Sequence, residues 1–162
     1  EKLKKFFIKR DKFLKKYNLL AISGRWQLFL DKNKLPASKP PWGKLVAVDI
    51  KKPEIIWERP FGIKKDKNDN IYYGDQNFGG ILNLASNIFF ATGTTDEKIF
   101  AHRTSDGHEI WSDILPAAGS APPMSFKFKD CQYIVVSATG GRFFGFKKNL
   151  DATVAYKLND CK

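Results

Sequence analysis

The sequence predicts an all-β chain, a partial β-propeller of about two to three four-stranded blades, and three observations carry that expectation. Gly79 to Trp111 reads as four short apolar strands, Gly79–Ala85, Asn87–Thr92, Lys98–Arg103 and His108–Ile114. Asn87, Thr94–Glu97 and Ser105–Gly107 supply the turn residues between them. A four-stranded meander has two faces and two open edges, so it needs neighbours to be stable. Those neighbours recur in the sequence: Ala47-x-Asp49 precedes Trp57 as Ala101-x-Arg103 precedes Trp111, with the alanine ten residues ahead of the tryptophan both times. Asn87–Gly93 is echoed by Gln132–Gly140, and Thr153–Tyr156 echoes Lys98–Ala101. Repeats of about 40 to 50 residues with four strands each mark a propeller. Counting strands gives one complete blade and two partial ones, short of the roughly 4 to 8 that close a ring.

Taken in order, the chain divides into a basic N-terminal segment, 1–22, and the blades, 23–162. Glu1 to Leu20 sets Leu3, Phe6, Phe7, Phe13, Leu14 and Tyr17 among lysines at roughly helical spacing. A basic amphipathic helix suits a membrane surface. The break in the stripe around Lys9–Lys12 favours instead a helix or extended segment covering a propeller edge, and the segment receives no function. Ser23–Leu30, with Trp26, Leu28 and Leu30 alternating, is expected to be a strand. Asp31–Gly43 is a connection in which Pro36, Pro40 and Pro41 forbid ladder pairing. Leu45–Trp57 forms two strands around Lys51–Glu54. Arg59–Asp75 reads as a long polar loop, of the kind that is usually functional or mobile. Trp57 and Trp111 are read as packing between blades, because their positions repeat, and not as stacking platforms for a sugar or cofactor.

Composition bounds the alternatives. At 162 residues with 43% hydrophobic and 14% aromatic content, the chain can bury a real core. It has no apolar run of about 18 residues and no secretory pattern at its start, and opening on Glu1 fits a piece of a longer protein. The net charge of +11 is spread through lysines in turns and on polar faces. Without an RNP, helix-turn-helix or zinc pattern, it reads as solvated surface, and no nucleic-acid partner is expected. Cys131 and Cys161 lie apart with no CxxC spacing and are read as unremarkable thiols, with a disulfide left open. No GxSxG, HExxH, Walker or Rossmann pattern occurs, so no catalytic residue and no metal ligand is assigned.

Four further segments carry a family resemblance. Pro40-Pro41-Trp42-Gly43-Lys44-Leu45-Val46-Ala47-Val48-Asp49, Gln76-Asn77-Phe78-Gly79-Gly80, Leu115 to Met124 and Gln132 to Gly141 keep order and spacing with the PPWGxLxAxD, NYGG, LPAxGxxxPM and QYIVVxAxGG segments of the quinoprotein dehydrogenases. With the Ala-x-Asp-x-x-Thr-Gly-x-x-x-Trp repeat, the chain resembles the glucose-dehydrogenase-like branch of these pyrroloquinoline-quinone (PQQ) propeller enzymes from about Leu30 to Leu158. Pro53 stands where that repeat has its turn glycine, and Arg103 where it has its aspartate.

The resemblance implies the C-terminal blades of an eight-bladed enzyme that oxidises a sugar or alcohol, glucose-like, and passes electrons to the respiratory chain. PQQ, with calcium in the full-length enzyme, and a periplasmic location follow from the same resemblance. So do the remaining propeller blades as partners. By carry-over, Asn77, Phe78, Gly79, Asp96, Thr139, Gly140, Gly141 and Arg142 border the cofactor, with glycine N–H groups available to its carboxylates. The glycine pairs read equally as bulge or tight-turn residues, and Asp96 reads more readily as an Asx-turn residue. The general base and the tryptophan under the quinone belong to earlier blades, so the chain alone is expected to be inactive, and its open edges to self-associate. The alternative function is a non-catalytic propeller scaffold like the PQQ-repeat lipoproteins of outer-membrane protein assembly.

Overall fold

The structure is a computed structural model that describes residues 2–17, 29–141 and 146–157. The N-terminal segment forms one helix, α1 (Lys2–Lys16). Of the strand expected over Ser23–Leu30, residues 23–28 lie outside the described residues, and Leu30 makes an isolated bridge to Pro36. The expected connection to Gly43 is irregular, and Asp31 closes its first turn by accepting the N–H groups of Asn33 and Leu35 at 2.8 and 2.9 Å.

The blades follow. The first sheet pairs β1 (Lys44–Asp49) with β2 (Glu54–Pro60) antiparallel. Pro53 is accommodated in the turn between them, where Asp49 accepts the N–H of Lys51 at 2.8 Å. The complete blade is a meander of β5 (Ile81–Leu84), β6 (Ile88–Thr92), β7 (Lys98–Arg103) and β8 (Glu109–Ile114) in that order. The last sheet runs β9 (Met124–Phe128), β10 (Cys131–Gly140), β11 (Asn149–Lys157), also antiparallel.

Between the first two sheets the sequence expectation fails. Arg59–Asp75 is not a loop but a small hairpin, β3 (Ile63–Lys65) and β4 (Ile71–Tyr73). Gly62 and Gly74, at φ +78° and +85°, turn the chain at its two ends. At the tip Asp66 accepts the N–H groups of Asn68 and Asn70 at 2.8 and 3.0 Å. A ribbon closed by side-chain bonds and glycine turns needs no apolar alternation, so its charged sequence hid it.

The repeat has a structural meaning. Ala47 pairs with Trp57 and Ala101 with Trp111 across adjacent strands, and beside each pairing the tryptophan strand carries one extra, unpaired residue, Ile56 or Ile110. The alanine therefore leaves room beside the tryptophan while the bulge swings the outer strand toward the next sheet. The third copy is displaced by one residue from the echo read in the sequence: Ile134 pairs with Tyr156 as Phe89 pairs with His102, so Ala155 matches Ala101 and Tyr156 matches His102.

Both faces of the complete blade are buried. On one side Leu45, Phe61, Phe89, Ala91 and Phe100 form a core with Trp57; on the other Ile99, Leu115, Ile134, Val136 and Ala138 form a second. Each large side chain so buried contributes about 1.5–3 kcal/mol. The two outer sheets leave Val46, Val48, Met124, Phe126 and Phe128 exposed, as expected of blades whose further neighbours are absent.

Candidate functional site

The candidate site lies at the end of the blades where β6 leaves into the 93–97 turn. Three backbone segments converge there with no side chain between them. A Cβ on Gly79 would stand 2.2 Å from the Thr92 carbonyl oxygen, and one on Gly93, at φ +99°, 2.0 Å from the Gly79 nitrogen. Asn77 fastens this crossing: its Nδ2 donates to the Thr92 carbonyl at 2.8 Å and its Oδ1 accepts the Gly79 N–H at 3.1 Å. The Phe78 N–H donates to the Gly93 carbonyl at 3.1 Å.

From here the chain of contacts runs to the last sheet. Thr92 Oγ1 donates to the Gly119 carbonyl at 2.7 Å. Ser120 and Thr139 hydroxyls meet at 3.0 Å, the Gly140 N–H donates to Ala118 at 2.8 Å and the Gly141 N–H to Lys148 at 3.1 Å. The Phe78 ring sits edge-on to Phe146, centroids 6.2 Å apart. Asn77, Phe78, Gly79, Thr139, Gly140 and Gly141 are thus brought into one rim. Arg142 lies outside the described residues.

One element of the expected chemistry does not hold at this rim. The N–H groups of Gly79, Gly140 and Gly141, expected to be available to carboxylates, are all spent on the chain's own acceptors. The glycines are explained by close backbone crossing.

Asp96 stands on the other side of the 93–97 turn, beside the β3–β4 hairpin. It accepts the Thr94 hydroxyl and, at 3.0 Å, the Ile63 N–H. Burial pushes its carboxyl above the ordinary aspartate range, with the Asp75 charge adding to it and the two hydrogen bonds opposing. Asp75 is fully buried. It accepts the N–H and hydroxyl of Thr95 and the N–H of Gln76, with Lys64 Nζ at 3.6 Å. Glu97, at φ +57°, holds Lys148 at 2.6 Å through Oε2, and its buried Oε1 has no hydrogen-bond partner among the described residues. Asp96, Glu97, Lys64, Lys65 and Lys147 line a pocket of about 340 Å³ with Ile63 and Thr95.

Asp75, Lys64, Thr94 and Glu97 were not singled out from the sequence. Asp75 directly precedes the Gln76–Gly80 segment, which was the one available signal. Its partners lie on other elements, where spacing along the chain says nothing.

The tryptophans behave as inter-blade packing. Trp57 stacks on Phe89 at 6.2 Å and 13°, and its Nε1 donates to the Thr104 carbonyl at 3.0 Å. A Cβ on Gly107 would strike the Trp57 ring at 2.5 Å. Trp111 meets Tyr156 edge-on at 5.2 Å. Cys131 is buried on β10, and Cys161 lies outside the described residues.

Comparison with known proteins gives the family of these blades. The family model for the glucose/ethanol/alcohol dehydrogenase β-propeller domain, named PQQ, matches residues 8–134. The chain belongs to this family. Quinoprotein glucose dehydrogenase A of Acinetobacter calcoaceticus is 34% identical over 140 residues, 83% of this chain and 17% of the relative. Quinoprotein glucose dehydrogenase of Escherichia coli is 34% identical over 139 residues, 82% of this chain and 17% of the relative. The chain therefore spans about a sixth of the length of these quinoproteins. The quinohemoprotein alcohol dehydrogenase of Comamonas testosteroni superposes with a TM-score of 0.55 at 21% identity, over 78% of this chain and 17% of that structure, a likeness of fold.

Proposed function

We propose that the chain supplies C-terminal blades of a PQQ-dependent dehydrogenase that oxidises a glucose-like sugar or an alcohol in the periplasm and passes electrons to the respiratory chain. The observation that supports it is the single rim that Thr92 and Gly93 make by tying Asn77–Gly79 to Gly119–Ser120, and so to Thr139–Gly141. In this reading bound PQQ, with calcium held by other blades, would supply the two-electron, two-proton acceptor needed to turn a CH–OH group into a carbonyl.

Gly79, Gly140 and Gly141 fit a border to that group rather than its carboxylate receptor, because their N–H donors are already engaged. Phe78 would offer its ring, Thr139 its hydroxyl, and Arg142 its charge. Asn77, Gly79, Gly140 and Gly141 would hold the rim in shape, and Asp96 would border it from the hairpin side. No general base is assigned to this chain. The other partners are the remaining blades, and self-association through the exposed outer sheets is the expected behaviour of the chain alone.

The test is titration of the chain with PQQ in calcium buffer, following tryptophan fluorescence, beside Phe78→Ala and Arg142→Ala. Saturable quenching, weakened several-fold in both variants, is the expected result. Identical titration curves for all three proteins would remove these residues from the cofactor's border and leave family membership untouched.

A further inference from the structure

The helix α1 is accounted for neither by the rim nor by the tryptophan repeat. Eight of its fifteen residues are Lys or Arg and one, Asp11, is acidic. Helical geometry places positions 3, 6, 7, 13, 14 and 17 within a sector of about 120°, occupied in the sequence by Leu, Phe, Phe, Phe, Leu and Tyr. Lys9, Lys12, Lys15 and Lys16 fall outside it. Arg10 falls inside, and its guanidinium pairs with Asp11 at 2.9 Å.

At the C-terminal end of the sector two aromatic rings are open to solvent. Phe13 and Tyr17 lie 4.9 Å apart, centroid to centroid, and both stay more than half exposed. Lys16 sits over the Tyr17 ring at 5.3 Å. An apolar, aromatic-rich stripe, flanked by cations and all but devoid of acids, is complementary to one kind of surface: an apolar layer covered by anions. A blade edge would cover the apolar stripe, but it presents no matching sheet of negative charge on a chain whose net charge is +11.

We infer that α1 docks on an anionic lipid surface, lying in the headgroup plane with Phe13, Leu14 and Tyr17 inserted and Lys9, Lys12 and Lys16 on the phosphates. This docking is independent of the cofactor reading, and it would hold for any function of the blades.

Co-sedimentation of the 162-residue chain with phosphatidylcholine vesicles, with or without about 30 mol% phosphatidylglycerol, decides it. Binding to the anionic vesicles is expected to exceed binding to neutral ones at least tenfold and to weaken with salt. Lys9→Glu/Lys12→Glu/Lys16→Glu is expected to abolish that excess, and Phe13→Ser to weaken anionic-vesicle binding several-fold. Near-ultraviolet circular dichroism of the blades should be unchanged in each. Duplex DNA serves as a bare polyanion, for which Phe13→Ser should have no effect. Equal binding to both vesicles, or a Phe13→Ser chain that binds anionic vesicles like wild type, would overturn the inference in favour of a buried cover or a plain polycation.

Discussion

Trp57 and Trp111 occupy the same position in the repeat, each paired with its alanine and each preceded by one unpaired residue on its own strand, yet they are held differently. Trp57 is half-buried, stacked on Phe89 and bonded through its ring N–H to the turn at Thr104. Trp111 is 40% exposed and touches Tyr156 and Phe90 only edge-on. The difference lies in the neighbour, not in the repeat. Thr104 belongs to the turn between the third and fourth strands of the complete blade. The matching turn of the last sheet would follow β11, beyond Lys157, outside the described residues. At the same repeat position the described partners differ: Phe89 and the Thr104 carbonyl for Trp57, the edges of Phe90 and Tyr156 for Trp111.

The sharpest break in that comparison is truncation of both rings. Trp57→Ala removes a stacked, hydrogen-bonded ring from a closed interface and is expected to cost about 3 kcal/mol, whereas Trp111→Ala should cost about 1–2 kcal/mol because the ring keeps much of its contact with water. Urea unfolding of the two variants measures this. Equal losses would mean that the neighbour contributes nothing and the repeat position alone sets the energy.

The ring beneath Trp57 separates the two interfaces again. His102 stacks on Phe89 at 5.1 Å, and Tyr156 holds the matching position in the last sheet. Burial lowers the His102 pKa below 6.5, and its Nδ1 contact to the Gly107 carbonyl at 3.2 Å only partly offsets this. The folded state therefore binds fewer protons than the unfolded one just below pH 6.5. Its stabilisation is complete above that value and is lost as pH falls toward the folded pKa. Asp96 has the opposite sign. Its raised pKa makes the folded state bind more protons above pH 3.8, so its contribution is complete below 3.8 and is lost as pH rises through the folded value. Unfolding free energy measured from pH 3.5 to 7.5 is expected to lose its fall below 6.5 in His102→Phe, and Asp96→Asn should abolish the opposing fall above 3.8. A His102→Phe profile that superimposes on wild type would exclude the histidine as the acid-sensitive part of the first interface.

What the sequence disclosed follows the same division between local and distant causes. The meander was legible because turn residues and apolar runs lie next to each other: Lys98–Arg103 is the strand expected, and β5, β6 and β8 fall within their expected spans. The Ala–Trp spacing was legible because it is a cross-strand pair of one hairpin. The β3–β4 hairpin was missed because Asp66 and two glycines, not apolar alternation, define it. At the site, Asn77 through Gly79 stood out as a segment. Their actual work of bonding Thr92 and Gly93 could not be read from spacing, nor could the burial of Asp75 against Thr95. A close backbone crossing and a carboxylate ligand both ask for glycine, and only the position of the acceptors tells them apart.

The smallest expected effect asks whether the shallow interface has any polar fastening. Tyr156 donates its hydroxyl to Asp113 Oδ2 at 3.0 Å, and burial with the neighbouring carboxylate raises its pKa. Deleting the hydroxyl leaves the edge-on ring contact with Trp111 in place and frees a carboxylate that water can solvate, so Tyr156→Phe should cost only about 0.5 kcal/mol, the low end for a hydrogen bond. Trp57 has no such removable tie, since its acceptor is the Thr104 backbone carbonyl. Urea midpoints of Tyr156→Phe and Trp111→Ala, singly and together, measure how far the two losses are coupled. A Tyr156→Phe loss larger than that of Trp111→Ala would make the hydroxyl, and not the tryptophan, the main link between the last two sheets.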